Sequence, residues 1–331
     1  MCMPSQPSTS CDDRRVTPDI NRRAAVLAVV VAAILFGTTG TAIELGPDGV
    51  SPWGVGTLRI VIGAASLWVL ARSLPRRTQL RGTTGRHLVL GAIGVAAYQP
   101  GFFLGTQRLG VALGTMIALT SGPVAAGLIE GITSRRRPQR PWVIGTLVMT
   151  IGVVLVIAGR SGFAGITVDA LGLLGSVIAG VGYAVYASMA RRAVVAGVDS
   201  TVALAWEHTL GAVMLIPGLW FVSLDWLEDG SSIVMLAHLG VITVGVAYVL
   251  YGIGLRTLDS STAVSITLVE PLTATMLAVV VLDERLGPRG WVGAVIVLIG
   301  LAVVGRNSTS TPNATIMTTR TMASPLRIPR I

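Results

Sequence analysis

Ten separate stretches of mostly apolar residues, centred near residues 34, 63, 97, 120, 150, 180, 211, 243, 272 and 298, recur along the 331-residue chain. Each is long enough to cross a bilayer, which takes about 20 apolar residues per helix. In hydrocarbon a segment must satisfy its own backbone hydrogen bonds, so each stretch is read as a helix. Ten such helices use about 200 residues and leave only short loops and two tails. The expected fold class is therefore an all-α membrane protein with ten transmembrane helices and no soluble domain. The composition agrees: 52% hydrophobic, 12% charged, 40 glycines and a mean hydropathy of +0.73.

Residues 1–23 are polar, and 306–331 are rich in Ser and Thr with scattered Arg, so both read as disordered cytoplasmic tails. The run 24–43 also has the form of a signal peptide, but nine further spans make an uncleaved helix the better reading. Only 5% of residues are aromatic, which leaves little for stacking on bases, so a nucleic-acid partner is set aside despite the net charge of +9. Cys2 and Cys11, the two cysteines, lie in the N-terminal tail without metal-ligand spacing.

All 25 basic residues are arginine, and their distribution gives the orientation. With the N-terminus inside, twenty arginines fall on the inner side, four (Arg108, Arg160, Arg285 and Arg289) on the outer side, and Arg59 within a span. An excess of basic residues marks the cytoplasmic face. The expectation is a plasma-membrane protein with both termini cytoplasmic, which leaves the sequons at Asn307 and Asn313 inside, away from glycosylation.

Compared with itself, the chain repeats at an offset of 148 residues. This shift brings Pro123 onto Pro271, Arg108 onto Arg256, Arg59 onto Glu207, Gly145 onto Gly293 and Gly152 onto Gly300. The halves, 24–159 and 168–305, hold five spans each. Five is odd, so the second copy crosses the membrane in the opposite sense. Inverted repeats of this kind allow two similar states, inward-open and outward-open, around a central site.

The segments Ala247-Tyr248, Gly254-Leu255-Arg256, Leu268-Val269-Glu270-Pro271 and Leu282-Asp283-Glu284-Arg285-Leu286, with Gly293 and Gly300, resemble the second half of a ten-helix drug/metabolite transporter with two EamA domains. Leu35-Phe36-Gly37, Arg59, Arg108 and Gly122-Pro123 resemble its first half. The likeness spans about residues 24–305 and implies export or exchange of a small metabolite. Three positions depart between the halves: Glu270 corresponds to Gly122, and Asp283-Glu284 to Arg135-Arg136.

Ionisable groups inside spans are costly unless paired or hydrated, which makes each one a functional candidate. Glu270 is the foremost, because Pro271 beside it frees a backbone carbonyl at the same depth. A carboxylate there could bind a substrate ammonium or carry a coupling proton; the plainer alternative is a hydrogen-bonded kink. Mid-span Tyr98, Gln99, Tyr183 and Tyr248 are expected to share a cavity with Glu270, since a buried Tyr hydroxyl or amide needs a partner. Arg59 and Glu207 occupy matched positions, each about 10 Å deep at 1.5 Å per residue, but from opposite faces. They could form a gate or a buried ion pair, or each line its own vestibule. His208 is either a proton relay or a hydrogen-bonded packing residue. Pro123 and Pro271 are candidate hinges.

No catalytic constellation, metal-ligand cluster or ATP-binding loop occurs in the sequence, so no cofactor is expected and an intramembrane enzyme is the weakest reading. A channel or structural subunit is the other alternative. The favoured reading is a secondary transporter, an exporter of an amino acid or related amine working by alternating access. Its expected partners are that small molecule and the lipid bilayer, as a monomer or a homodimer, with proton antiport and passive exchange both compatible. Reporter fusions after Arg137 and after Asp229 should give cytoplasmic and external signals respectively; the same signal at both sites would overturn the topology.

Overall fold

The computed structural model describes residues 21–73, 82–109, 111–134, 138–161, 169–281, 283 and 286–307. Most of both tails and several loops lie outside these residues, as do Glu284 and Arg285 of the acidic motif. Among the described residues there is no strand, and ten helices are long and apolar enough to cross a membrane. They are α1 (Arg22–Glu44), α2 (Pro52–Ser73), α3 (Gly82–Leu109), α4 (Val111–Ser134), α5 (Arg140–Ser161), α6 (Ala170–Val195), α7 (Ser200–Phe221), α8 (Ser231–Leu255), α9 (Ser260–Val281) and α10 (Pro288–Asn307).

The repeat is visible in how the helices begin. Asn21 and Asp169, 148 residues apart, cap α1 and α6: the Arg23 N–H donates to the Asn21 side chain at 3.1 Å and the Gly172 N–H to Asp169 at 2.8 Å. Ser51 and Asp199, again 148 apart, cap α2 and α7 by accepting from the N–H groups of Gly54 and Thr201. A cap of this kind satisfies an otherwise orphaned N–H. The matched arginines act on the same caps. Arg108 lies 3.6 Å from Asp169, tying α3 to α6, and Arg256 lies 2.8 Å from Asp199, tying α8 to α7.

Three helices depart from regular winding, and in α7 the last six residues, Ile216–Phe221, are 3₁₀. In α9 the turn Thr267–Val269 is 3₁₀, and the Glu270 N–H donates to the Thr267 carbonyl. That carbonyl is the one Pro271 cannot reach for lack of an N–H. α8 is wound as a π-helix from His238 to Val246, between two α-helical segments.

The first helix of each half is exchanged into the other half. α6 packs between α3 and α4, while α1 packs between α8 and α9. About the pseudo-twofold axis, α5 lies on α10 and α2 on α7. Backbone meets backbone at glycines seven residues apart. On α3 and α6, Gly94 faces Gly182 and Gly101 faces Gly175, so that a Cβ at Gly101 would sit 2.7 Å from the Gly175 carbonyl oxygen. On α5 and α10, Gly145 faces Gly300 and Gly152 faces Gly293, where a Cβ at Gly293 would sit 2.6 Å from the Gly152 oxygen. The four glycines of α5 and α10 are those that the 148-residue offset superimposes. The four-residue spacing also serves: Gly101 and Gly105 both face α6, and Gly127 receives the Trp142 ring.

Gly152→Val should lower the thermal unfolding midpoint in detergent, consistent with about 1–3 kcal/mol of overpacking. Gly40→Val, where a Cβ meets nothing within 4 Å, should leave the midpoint unchanged.

Candidate functional site

Small residues at the helix crossings bring the backbones together at some levels, and bulky aromatic residues hold them apart at another. The result is a cavity of about 240 Å³ between the repeats. α1 contributes Phe36 and Thr39; α2 contributes Gly56 and Arg59; and α3 contributes Tyr98, Gln99, Phe102, Phe103 and Thr106. Thr115 and Leu119 of α4, Tyr183 and Tyr186 of α6, Tyr248 of α8 and Glu270 of α9 complete the wall. The cavity runs from Glu270 and Tyr248 at mid-helix toward Ile43, Val50 and Pro52, at the ends of α1 and α2.

Four of the five tyrosines line the cavity, and Tyr251 packs behind Phe36 and Tyr248. Tyr186 and Tyr248 share a hydroxyl–hydroxyl bond of 2.8 Å. The Thr267 hydroxyl donates to the Val264 carbonyl at 2.8 Å, so at the 2.6 Å contact between them it is Tyr183 that donates to Thr267. This bond joins α6 to the 3₁₀ turn just before Glu270. The rings pack in a chain: Tyr98 on Tyr183 at 6.4 Å, Tyr183 on Tyr186 at 5.1 Å, and Tyr248 on Phe36 at 5.1 Å. Gln99 is buried and donates from Nε2 to the Gly56 carbonyl at 2.8 Å, one turn from Arg59.

Arg59 and Glu270 both face this cavity, and Arg59 lies within electrostatic reach of the carboxyl. Among the described residues no hydrogen bond or ion pair joins them, and the buried Nε of Arg59 has no acceptor. The site therefore presents a guanidinium and a carboxyl group, not paired with each other, inside an aromatic wall.

Of the remaining candidates, Glu207 and His208 line no part of the cavity. Glu207 is fully buried with its carboxyl against Gly91 of α3, and neither carboxyl oxygen has a hydrogen-bond partner. Arg59 and Glu207 thus form no pair. The Nδ1 of His208 is bonded to the Leu204 carbonyl at 2.8 Å, and its ring packs edge-on against Tyr248 at 4.4 Å. Pro123 is buried within an α4 that continues through it, whereas Pro271 sits at the change from 3₁₀ to α winding in α9.

The opposite end of the bundle is closed by polar contacts. The Ser261 N–H donates to Glu130 at 3.1 Å, Ser188 donates to Ser260 at 3.3 Å, and the Arg256 Nε donates to Ser200 at 3.0 Å. Glu130 was missed as a sequence candidate because it lies near the end of its span, next to the basic run that begins at Arg135. Phe36, Thr39, Thr106 and Thr115 were missed too; their residue types are ordinary for membrane helices, and only the packing sets them on one wall.

Ten membrane-crossing helices in two five-helix units, built around a central cavity with an aromatic wall, define a multi-pass membrane protein. Comparison with known proteins agrees: residues 23–158 and 170–306 each match the EamA-like transporter family, and the chain belongs to that family. It is 31% identical to YwfM of Bacillus subtilis strain 168, an uncharacterized transporter, over 84% of this chain and 92% of that one. It is 25% identical to a probable terminal-alkyne amino-acid exporter of Streptantibioticus cattleyicolor, over 86% and 94% respectively. A solved crystal structure shares the fold with a TM-score of 0.72 at 22% identity, covering 88% of this chain and all of that one.

In a chain with Cys2 and Cys11 replaced by Ser, Thr39→Cys should react with a water-soluble thiol reagent and Ser188→Cys should not. Equal protection at both positions would mean that the cavity does not open at the α1–α2 end.

Proposed function

We propose that the protein is a secondary transporter of the plasma membrane, with both termini cytoplasmic, that exports a small amino acid or related amine by alternating access. The observation that carries this reading is the unpaired Arg59–Glu270 set within one aromatic cavity. Two opposite charges held apart in a low-dielectric site attract strongly, and their separation leaves room for a zwitterion between them. In this reading the substrate ammonium lies at Glu270, its carboxylate at Arg59, and its apolar part against Tyr98, Phe102 and Tyr183. Gln99 fixes α3 beside α2 and so holds the arginine in place.

With the α1–α2 loop on the outer side, the cavity is open outward and its floor is sealed by Tyr186, Tyr248 and the inner polar contacts. A sealed floor favours a carrier over a continuously open pore. The inverted repeat supplies the opposite state at a cost of a few kcal/mol, a gap that differential substrate binding can shift. Pro123 and Pro271, at matched positions, are the bending points: neither contributes an N–H, so bending there breaks no further bond. The likeness to an amino-acid exporter at 25% identity supports the same substrate class.

Inside-out vesicles offered a panel of labelled amino acids and amines test this reading. Glu270→Gln should keep the fold and abolish or uncouple uptake, and wild-type rate and pH dependence in that variant would reduce Glu270 to a kink. Arg59→Gln should raise the half-saturation concentration for amino acids about thirtyfold, the equivalent of losing one charge-assisted hydrogen bond of about 2 kcal/mol. It should leave amines without a carboxylate unaffected. Added substrate should also change thiol reactivity in opposite senses at Gln107→Cys and Leu255→Cys, positions related by the repeat offset.

A further inference from the structure

We propose that Glu207 is a proton-binding site: it holds its proton while the bundle is open outward and gives it up to the inner solution when the bundle opens inward. The proposal rests on the alternating-access reading, and it assigns a role to a buried carboxyl that the cavity does not use.

The burial comes first. Glu207 is 0% exposed, and neither oxygen has a hydrogen-bond partner. An isolated carboxylate in such surroundings is far costlier than the neutral acid, so in this state the group keeps its proton. The fit is specific, because the carboxyl fills the space where a Cβ on Gly91 would stand.

The repeat comes second. The offset of 148 residues carries Arg59 onto Glu207, and it carries the outer cavity wall onto a second, presently closed set of positions. Val55, Gly56 and Phe103 map to Ala203, Leu204 and Tyr251, while Thr115 and Leu119 map to Ala263 and Thr267. All five mapped residues are buried here. Exchange of the two halves' conformations would open these positions to the inner side as the outer wall closes. Glu207 would then stand where Arg59 stands now, at the wall of a water-filled cavity. There the carboxyl ionises, and its proton passes to water on the inner side. Resealing requires that one proton be taken back from the same side, so the equilibrium between the two states depends on inner pH.

No charged group offsets this titration. The Tyr248 and Tyr251 hydroxyls of α8 lie within electrostatic reach of Glu207. His208, on the same helix, is turned to the Leu204 carbonyl and the Tyr248 ring. The other titratable groups on helices packed against α7 are Arg59 and Arg72 of α2, Arg86, His87, Tyr98 and Arg108 of α3, Tyr183, Tyr186, Arg191 and Arg192 of α6, and His238 of α8, with Arg256 just after it. None of them forms a hydrogen bond or ion pair with the carboxyl.

Two measurements without substrate test the proposal, so its failure is distinct from a failure of the transport reading. Infrared spectra of the wild-type protein in bilayers at neutral pH should contain a protonated-carboxyl band that Glu207→Gln removes. Nitroxide labels at Val50→Cys and at its repeat partner Val198→Cys, read by accessibility to a water-soluble paramagnetic reagent, should report opposite changes as pH rises. The inward-open to outward-open ratio should grow up to about tenfold per pH unit over the titration, as one proton requires. Glu207→Gln should hold the outward-open state at every pH. Gly91→Ala, which crowds the carboxyl, should move the midpoint of the wild-type transition and provides the test should the Gln variant not fold. A pH response that survives Glu207→Gln, a midpoint unmoved by Gly91→Ala, or an infrared band unaltered by losing Glu207 would overturn the assignment.

Discussion

Within a bilayer, burying apolar side chains against one another gains little, since the lipid they leave is equally apolar; helices are held instead by close packing. Here that packing is concentrated where glycine lets two backbones meet. The Gly94–Gly182 and Gly101–Gly175 contacts draw α3 onto α6, and Gly145–Gly300 and Gly152–Gly293 draw α5 onto α10. The seven-residue spacing returns each glycine to the same face after about two turns. The cavity depends on these contacts, because helices pinned closely at some levels diverge where Tyr98, Phe102 and Tyr183 stand between them.

Polar groups fall into two sets under the same constraint. Those that fasten helices are fully bonded: Gln99 to Gly56, Tyr183 to Thr267, Trp68 to Thr209 and Trp142 to Ser265. Ten buried side-chain atoms among the described residues are left unbonded, and they include the Arg59 Nε and both oxygens of Glu207. A buried polar atom without a partner forfeits about 1–3 kcal/mol.

Much of this was legible in the sequence. Span positions followed from length and hydropathy, because the bilayer fixes both, and the repeat followed from Pro123/Pro271 and Arg108/Arg256, because distinctive residues keep their register. Glu270 and the tyrosines could be placed by depth alone. Depth could not resolve azimuth: Arg59 and Glu207 share a depth and a repeat position, yet one faces the cavity and the other faces Gly91. Facing depends on how α2 and α7 rotate against their neighbours, and that is decided by contacts with residues far away in the chain. The π-helical stretch of α8 left no trace in composition either, since its residues are as apolar as any other span.

The exchange of first helices bears on how the chain comes to be folded. α1 finds its packing surface on α8 and α9, and the contact of Thr38 with His238 spans 200 residues. During synthesis α1 therefore waits in lipid, without its native neighbours, until nearly all of the chain has been made. Contacts of such long sequence separation slow folding and lengthen the exposure of incomplete surfaces. A truncated chain that ends after α7 would hold α1 with no seat, and quality control could recognise it by that single unclaimed helix.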